Sequence, residues 1–520
     1  MSGQGFQGPL PPDAFNMARY AIGHAADATP DKIALEVFDR LGVGAGERWS
    51  YRALEDAVLR SAAAFGALGL TRGDRVLVHL PNTSRYATAF FGAIAGGVIP
   101  IPVSDQLTER ELAFLQADSG AALMLSDTGA GYGATRTLSG ADFAEVVNAV
   151  APSDYAATLK DEPAYLVYTS GTTSEPKGVL HAHRAAWGRR PMYAGWYGLS
   201  APDRMLHAGA FNWTYTLGTG LTDPWACGAT AIVFTGVKEP TLWPQLIRET
   251  GATIFAAVPG VYRQMLKYAR DDIGDLGALR HGLMAGEQPP ADLLEIWRAA
   301  TGRPLYEALG MSEISTYVST SPEVAPRAGA AGKPQPGRAV AILIGDDEDT
   351  MDAPRVAAAG ETGLLAVHRS DPGLMLRYWN RPEEDAAVRC GDWFIGGDLA
   401  MIDADGYVHH RGRVSDVMNA GGYRVSPAEV EAVLAAHPDV LEAACAEVEV
   451  RPGVHVICAF VVAHEDCQSL AADVLVAHAG QHLAPYKTPR AFRFVETLPR
   501  TRNGKVRRSE LPAWFQRTDD

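Results

Sequence analysis

The sequence predicts an α/β protein: a large N-terminal part of parallel α/β subdomains with a small β subdomain, followed by a small α+β C-terminal domain. Three observations carry this. Helical stretches alternate with short apolar runs as far as about residue 340. Beyond that point the runs are joined by Gly and Asp turns, and after about residue 415 a new helix–strand alternation begins.

"YRALEDAVLRSAAAFGALGL" (51–70) has the apolar spacing of a helix. The runs "DRVLVHLP" (74–81), "AALMLS" (121–126), "ATAIVF" (229–234) and "ATIFAAVP" (252–259) are short and apolar throughout. Runs of that length between helices are the mark of buried parallel strands. "AFFGAIAGGVIPIPV" (89–103) fits a buried helix followed by a strand, and is shorter than the roughly 20 residues of a membrane span. "AYLVYTSGTTSEPKG" reads as a strand, a flexible loop and the approach to a helix. "RAVAILIGDD", "GLLAVHR" and "DWFIGGDLAMIDADGYVHHRGR" predict the strands of the small β subdomain. "PAEVEAVLAAHP" is a helix, with Pro427 suited to its first turn and Glu429 and Glu431 near its positive end. "VHVICAFVV" (454–462) is a strand and 469–483 another helix. The main boundary is expected near residue 415, giving domains 1–414 and 415–520.

A chain of 520 residues is too long for one core. Its 47% hydrophobic and 21% charged residues are those of a globular protein rather than a disordered one. The net charge of −15 argues against a nucleic-acid partner held through phosphate contacts, which needs a basic surface. It does not exclude a nucleotide. Five cysteines without a C-x-x-C pair read as reduced thiols, and no basic start precedes an apolar run at the N-terminus. The expectation is a soluble cytoplasmic protein without a membrane span.

The chemistry begins at "YTSGTTSEPKGV" (168–179). Thr169, Ser170, Gly171, Thr172, Thr173 and Ser174 precede Lys177, a dense set of N–H and hydroxyl donors with one cation. After a strand, such a loop suits a polyphosphate. The alternative is a surface loop that happens to be rich in Ser and Thr. The Walker A spacing is absent, because Gly178 follows the lysine instead of preceding it.

The loop resembles the signature of the adenylate-forming superfamily, which includes acyl-CoA synthetases, amino-acid adenylation domains and luciferases. Further segments occur in the family's order. "MAGEQPP" (284–290), with Gly286 and Glu287, is similar to the turn that cradles adenine. "LYEALGMSE" (305–313) is similar to the aromatic-glycine-x-Thr-Glu segment. The resemblance implies that Glu307, Ala308 and Leu309 border the nucleotide, that Ser312 contacts the α-phosphate, and that Glu313 holds Mg²⁺. Leu309 stands where the family usually has an aromatic. Asp398 and Arg413 are expected at the ribose, and Lys505 of "LPRTRNGKVRR" at the α-phosphate and carboxylate.

The resemblance implies ATP, Mg²⁺ and CoA as ligands and a mobile C-terminal domain. The hinge falls at Ser415, where Asp or Lys is usual, and Gly421, Gly422 and Tyr423 are implied to line a CoA tunnel. The acid pocket is expected at Gly310, where acetate enzymes carry tryptophan, and in "HAGAFNWTYTLGTG" (207–220), with Phe211, Trp213 and Tyr215 as candidates. Two of these three aromatics are expected to be core packing.

The expected function is an acid–CoA ligase, resembling the benzoate/aryl and medium-chain branch. A carboxylate displaces pyrophosphate to give acyl-AMP, and CoA then takes the acyl group. The alternative is a stand-alone adenylation enzyme that loads a carrier protein. A luciferase-like oxygenase and a non-catalytic nucleotide sensor are further alternatives, the last opposed by Glu313, Asp398, Arg413 and Lys505. A homodimer is expected by analogy only.

Overall fold

The computed structural model describes residues 5–104, 107–128, 135–169, 176–287, 289–290, 292–345, 354–416, 418–420, 423–451, 454–464, 470–483, 485, 487–500 and 506–516. The chain divides into two compact units. The first holds Met1–Val340 and Val367–Phe394, the second Ala341–Ala366 and Ile395–Asp520. The change of pattern read near residue 340 coincides with the first crossing between them.

The first unit contains a nine-stranded sheet. Its order is Lys333–Pro334, Ser315–Ser319, Leu305–Met311, His281–Ala285, Ile254–Ala257, Arg204–His207, Thr230–Phe234, Ile33–Phe38, Glu47–Ser50. The strands from Leu305–Met311 to Ile33–Phe38 run parallel, and antiparallel strands flank them. A second, parallel sheet orders Ile99–Pro102, Arg75–His79, Leu123–Ser126 and Arg136–Leu138. All the strands read from apolar runs are present.

Helices cover these sheets for local reasons. In Tyr51–Ala67 the Ser50 hydroxyl accepts the Ala53 N–H at 3.3 Å and caps the helix. Leu54, Val58 and Phe65 follow at helical spacing and are fully or almost fully buried. Those three side chains contribute roughly 5–9 kcal/mol of burial, against about 1 kcal/mol for the cap. Packing, not capping, holds that helix. Ser84–Gly96 is buried along nearly its whole length, as its sequence requires, and leads into Ile99–Pro102.

One expectation is corrected. The segment after the Ser/Thr-rich loop is not the approach to a helix but a strand, Lys177–Ala182, antiparallel to Pro163–Thr169 with Thr169 opposite Lys177. Val179 and Leu180 are buried on it, and Arg377–Tyr378 pairs along its other edge. Sheet hydrogen bonding on both sides overrides a local pattern punctuated by Pro176 and Gly178.

The β strands expected beyond residue 340 are present: Thr362–His368, most of which belongs to the second unit, Trp393–Ile402, which enters it at Ile395, and Val408–Arg413 within it, the last two antiparallel. Further along, Val440–Arg451 pairs antiparallel with Val454–Ala463, which pairs parallel with Ala491–Phe494. Helices Pro427–Ala435 and Ala472–His482 bury Val430, Leu434, Leu475 and Ala479 against Ile457 and Val461. Pro427 occupies the first turn, as read from the sequence. Among the described residues no helix is long and apolar enough to cross a membrane.

Candidate active site

The hairpin fixes the flanks of the candidate phosphate loop. Thr169 ends one strand and Lys177 begins the other, while Ser170, Gly171, Thr172 and Thr173 lie outside the described residues. Lys177 forms an ion pair with Glu384, and its Nζ lies 5.8 Å from the centre of the Tyr378 ring. The Tyr378 hydroxyl donates to Glu313 Oε1 at 2.7 Å. The Met375 N–H donates to the Glu313 carbonyl at 2.7 Å, and His181 Nε2 lies 2.8 Å from the Ser312 carbonyl. The structure therefore gathers Lys177, Ser312 and Glu313 along one strip of backbone.

Segment 374–384 does the gathering. Leu376 N–H donates to Leu180 O and Trp379 N–H to Gly178 O, at 2.8 and 2.7 Å. Tyr378, His181 and Glu384 were missed in the sequence. The signal available was "RYWNRPEED" (377–385), an aromatic pair ahead of a proline-started acidic run.

Strand Leu305–Met311 carries Glu307, Ala308, Leu309 and Gly310. Burial pushes the Glu307 carboxyl up to about 8. Its backbone N–H donates to Thr320 Oγ1 at 2.8 Å. Ala308 is buried and Leu309 half-buried. A Cβ on Gly310 would meet the Ser315 carbonyl oxygen at 2.4 Å, so glycine there admits the neighbouring strand's backbone. Gly286 turns the chain out of strand His281–Ala285. Glu287 Oε1 accepts the Gly260 N–H at 3.2 Å, at the positive end of helix Pro259–Tyr268.

A small pocket opens beside Ser312, with Tyr165, His181, Arg189, Thr214 and Ser315 among its walls. Of the segment proposed from the sequence, Thr214 lines this pocket. Phe211 is buried against Tyr86, ring centres 5.4 Å apart, and Tyr215 stacks on Trp196 at 5.8 Å. Trp213 is half-buried, its backbone N–H donating to Ala210 O.

In the second unit, strands Trp393–Ile402 and Val408–Arg413 set Asp398 directly opposite Arg413. Arg413 Nε donates to Asp398 Oδ1 at 3.3 Å and His410 Nε2 lies 3.1 Å from the same oxygen. Burial alone would raise the Asp398 pKa, but the His410 hydrogen bond and the Arg413 charge outweigh it and hold the carboxyl below its ordinary value. His410 is a further residue the sequence reading missed. Ser415 sits in the short turn Val414–Asp416. Tyr423 begins strand Tyr423–Val425. Gly421, Gly422 and Lys505 lie outside the described residues.

Among the described residues no group of three or more His, Cys, Asp or Glu side chains is placed to hold a metal. Glu313 offers one oriented carboxylate. That suits Mg²⁺, whose remaining ligands are commonly phosphate oxygens and water.

This fold has counterparts among known proteins. The family model described as AMP-binding enzyme matches residues 22–379, and that of the AMP-binding enzyme C-terminal domain matches 429–505. The chain belongs to the AMP-binding enzyme family. It is 33% identical over 466 residues to a benzoate–CoA ligase of Thauera aromatica, covering 85% of this chain and 86% of that one. It is 30% identical to a 3-hydroxybenzoate–CoA ligase of Aromatoleum sp. (strain CIB), covering 95% and 98%. Among solved structures, a benzoate CoA ligase from Burkholderia xenovorans LB400 superposes with a TM-score of 0.82 at 29% identity, covering 96% of this chain and all of that one. The anthranilate CoA ligase AuaEII, in complex with anthranoyl-AMP, gives 0.84 at 26%, covering 97% and 98%.

Proposed function

We propose that the protein is an ATP-dependent, AMP-forming acid–CoA ligase for a monocarboxylic acid of the aryl or medium-chain class. The observation that carries this is the convergence of Lys177 and Glu313 at Tyr378, with the neighbouring Ser312 held by His181, on an AMP-binding fold. The substrate carboxylate attacks the α-phosphorus of ATP, the bond to the β-phosphate bridge breaks, and pyrophosphate leaves. The CoA thiol then attacks the acyl carbonyl, its proton is lost, and AMP leaves.

Each residue has a task in this reading. The loop from Thr169 to Lys177 grips the β- and γ-phosphates, and Ser312 donates to the α-phosphate. Glu287 and the backbone of Gly286, Glu307, Ala308 and Leu309 border the adenine. Asp398 accepts the ribose hydroxyls, with Arg413 beside it and His410 fixing its carboxylate. Mg²⁺, when bound, neutralises charge between the phosphates, and Glu313 is the residue to hold it, aimed by the Tyr378 hydroxyl. Lys505 neutralises the charge that builds between carboxylate and phosphate. Residues 1–414 and 415–520 act as separate domains hinged at Ser415, so that Gly421, Gly422 and Tyr423 line the CoA tunnel in the second step.

A panel of acids assayed for pyrophosphate release with ATP, with and without CoA, tests the reading. Release stimulated by CoA with thioester formed is the expected result. Turnover that requires a carrier protein and ignores CoA overturns it. Lys505→Ala is expected to slow acyl-AMP formation about 10²–10³-fold, while supplied acyl-AMP is still converted with CoA. Unchanged adenylation would remove Lys505 from the mechanism.

A further inference from the structure

The pocket beside Ser312 is bordered by a buried polar network that the chemistry above leaves unused. Arg189 donates from Nε to Asp223 Oδ1 at 2.8 Å and from Nη2 to Oδ2 at 2.7 Å. The Tyr197 hydroxyl donates to the same Oδ2 at 2.8 Å. The guanidinium's third edge, Nη1, donates to Ser315 Oγ at 2.5 Å. The Arg189 and Asp223 side chains are 7% and 0% exposed. Burial works to lower the Arg189 pKa, but the Asp223 charge outweighs this and holds it above the ordinary arginine range.

The backbone is shaped around this guanidinium. The π-helix Tyr193–Tyr197 ends on Tyr197, and the π-helix Thr216–Thr222 runs directly into Asp223. A Cβ on Gly218, inside the second of these, would lie 2.1 Å from Arg189 Nη2. Glycine there makes the room that the arginine fills.

Asp223 already neutralises Arg189, so the pocket has no spare positive charge for a second carboxylate on the substrate. It has neutral hydrogen-bonding capacity instead. Ser315 accepts from Arg189, which leaves its own proton to donate. His181 Nε2 faces the Ser312 carbonyl, which can only accept, so Nε2 carries the proton and Nδ1 is a bare acceptor. Nδ1 is buried without a hydrogen-bond partner among the described residues. Burial pushes the His181 pKa down to about 4, so the ring stays neutral at physiological pH. Tyr165 stacks on it at 4.7 Å, and Thr214 also lines the pocket.

Resting on the ligase reading, we infer that the acid activated here is compact and carries a neutral hydroxyl. Ser315 donates to that hydroxyl, His181 Nδ1 accepts from it, and Arg189, clamped by Asp223, positions Ser315. A hydroxyl satisfies both groups at once. An amino group satisfies the acceptor alone, and hydrogen satisfies neither. Sites that hydrogen-bond a substrate group discriminate against analogues lacking it far more sharply than apolar pockets do.

The test is pyrophosphate release from sets of acids that share a skeleton and differ at one position by hydroxyl, amino or hydrogen. Two-, three- and four-substituted benzoates and short 2- and 3-substituted alkanoates are the probes. In at least one set the hydroxyl acid is expected to exceed both partners at least about tenfold in kcat/KM. Ser315 has φ of 72°, so Ser315→Gly removes the hydroxyl without opposing the backbone. It should collapse that ratio toward one, chiefly through KM. The paired variant Arg189→Met/Asp223→Leu, which leaves no buried charge unmatched, should lower the same ratio by withdrawing the donor that orients Ser315. Pyrophosphate release without hydroxyl preference, preference for an amino acid or dicarboxylate, or a ratio unchanged in Ser315→Gly overturns this inference alone. No release from any acid overturns the ligase reading and this one with it.

Discussion

Asp223 and Asp398 are both buried aspartates facing an arginine, yet the two pairs are built in different ways. Asp223 meets Arg189 across two short bonds, with Tyr197 on one of the same oxygens, and both charged side chains are almost wholly out of solvent. Asp398 meets Arg413 at 3.3 Å through a single nitrogen, and the Arg413 side chain stays 42% exposed. The first pair closes on itself. The second buries its carboxylate but leaves its arginine partly in solvent. An ion pair sealed from water is costly to break, whereas a half-exposed one adds little.

The sharpest way to break this comparison is Asp223→Ala. It leaves the Arg189 charge buried without its counter-ion, and the expected loss is about 3–5 kcal/mol, read as a lower urea midpoint. Asp223→Leu combined with Arg189→Met should recover most of that loss, because removing both charges also removes the desolvation cost. If the paired variant is as unstable as the single one, the cost lies in packing and not in the unmatched charge. Gly218→Ala comes next. Its methyl intrudes on the guanidinium at 2.1 Å, and overpacking of that kind costs about 1–3 kcal/mol. A thermal midpoint equal to wild type would mean that the network moves aside freely.

How much of each pair the sequence discloses follows from the same difference. Asp398, His410 and Arg413 lie within sixteen residues on one strand pair, so register alone assembles them. "GDLAMIDADGYVHHRGR" could be read as such a unit, although His410 was passed over. Arg189 and Tyr197 share one helical run, but Asp223 and Ser315 come from two distant segments, and only tertiary packing brings them together. No period or spacing marks them. The Gly310 motif was readable, but the backbone of Ser315 and Thr316 beside it was not. For the same reason the parallel strands were legible as apolar runs, while the hairpin at Lys177–Ala182 was obscured by Pro176 and Gly178. Its strand identity depends on Pro163–Thr169 and Arg377–Tyr378, distant in sequence.

A half-buried carboxyl raised by desolvation alone sharpens the comparison. Glu307 is pushed up to about 8 from an ordinary value of 4.5, with burial as the cause. Its folded pKa lies above its unfolded one, so the folded chain holds more protons between those values. Its contribution is therefore greatest below pH 4.5 and falls as pH rises to about 8, by up to ~1.4 kcal/mol per pH unit. Glu307→Gln should flatten that decline in urea midpoints taken from pH 5 to 8. An unaltered slope would place the proton elsewhere.

Asp398 should show the opposite sign and the smallest effect. Its folded pKa is held below 3.8, so its contribution is fully present above that value and is lost as pH falls through the folded pKa. Asp398→Asn should therefore leave unfolding midpoints between pH 5 and 7 offset by a constant amount. As pH falls below 3.8 the offset should shrink, and variant and wild type should converge once pH has passed below the folded pKa and the wild-type aspartate is protonated too. The same variant should raise KM for ATP at neutral pH if this carboxylate accepts the ribose hydroxyls, since a neutral amide is the weaker acceptor. Convergence in acid with an unchanged KM would make Asp398, like Asp223, a residue that serves only its own hydrogen-bonded network.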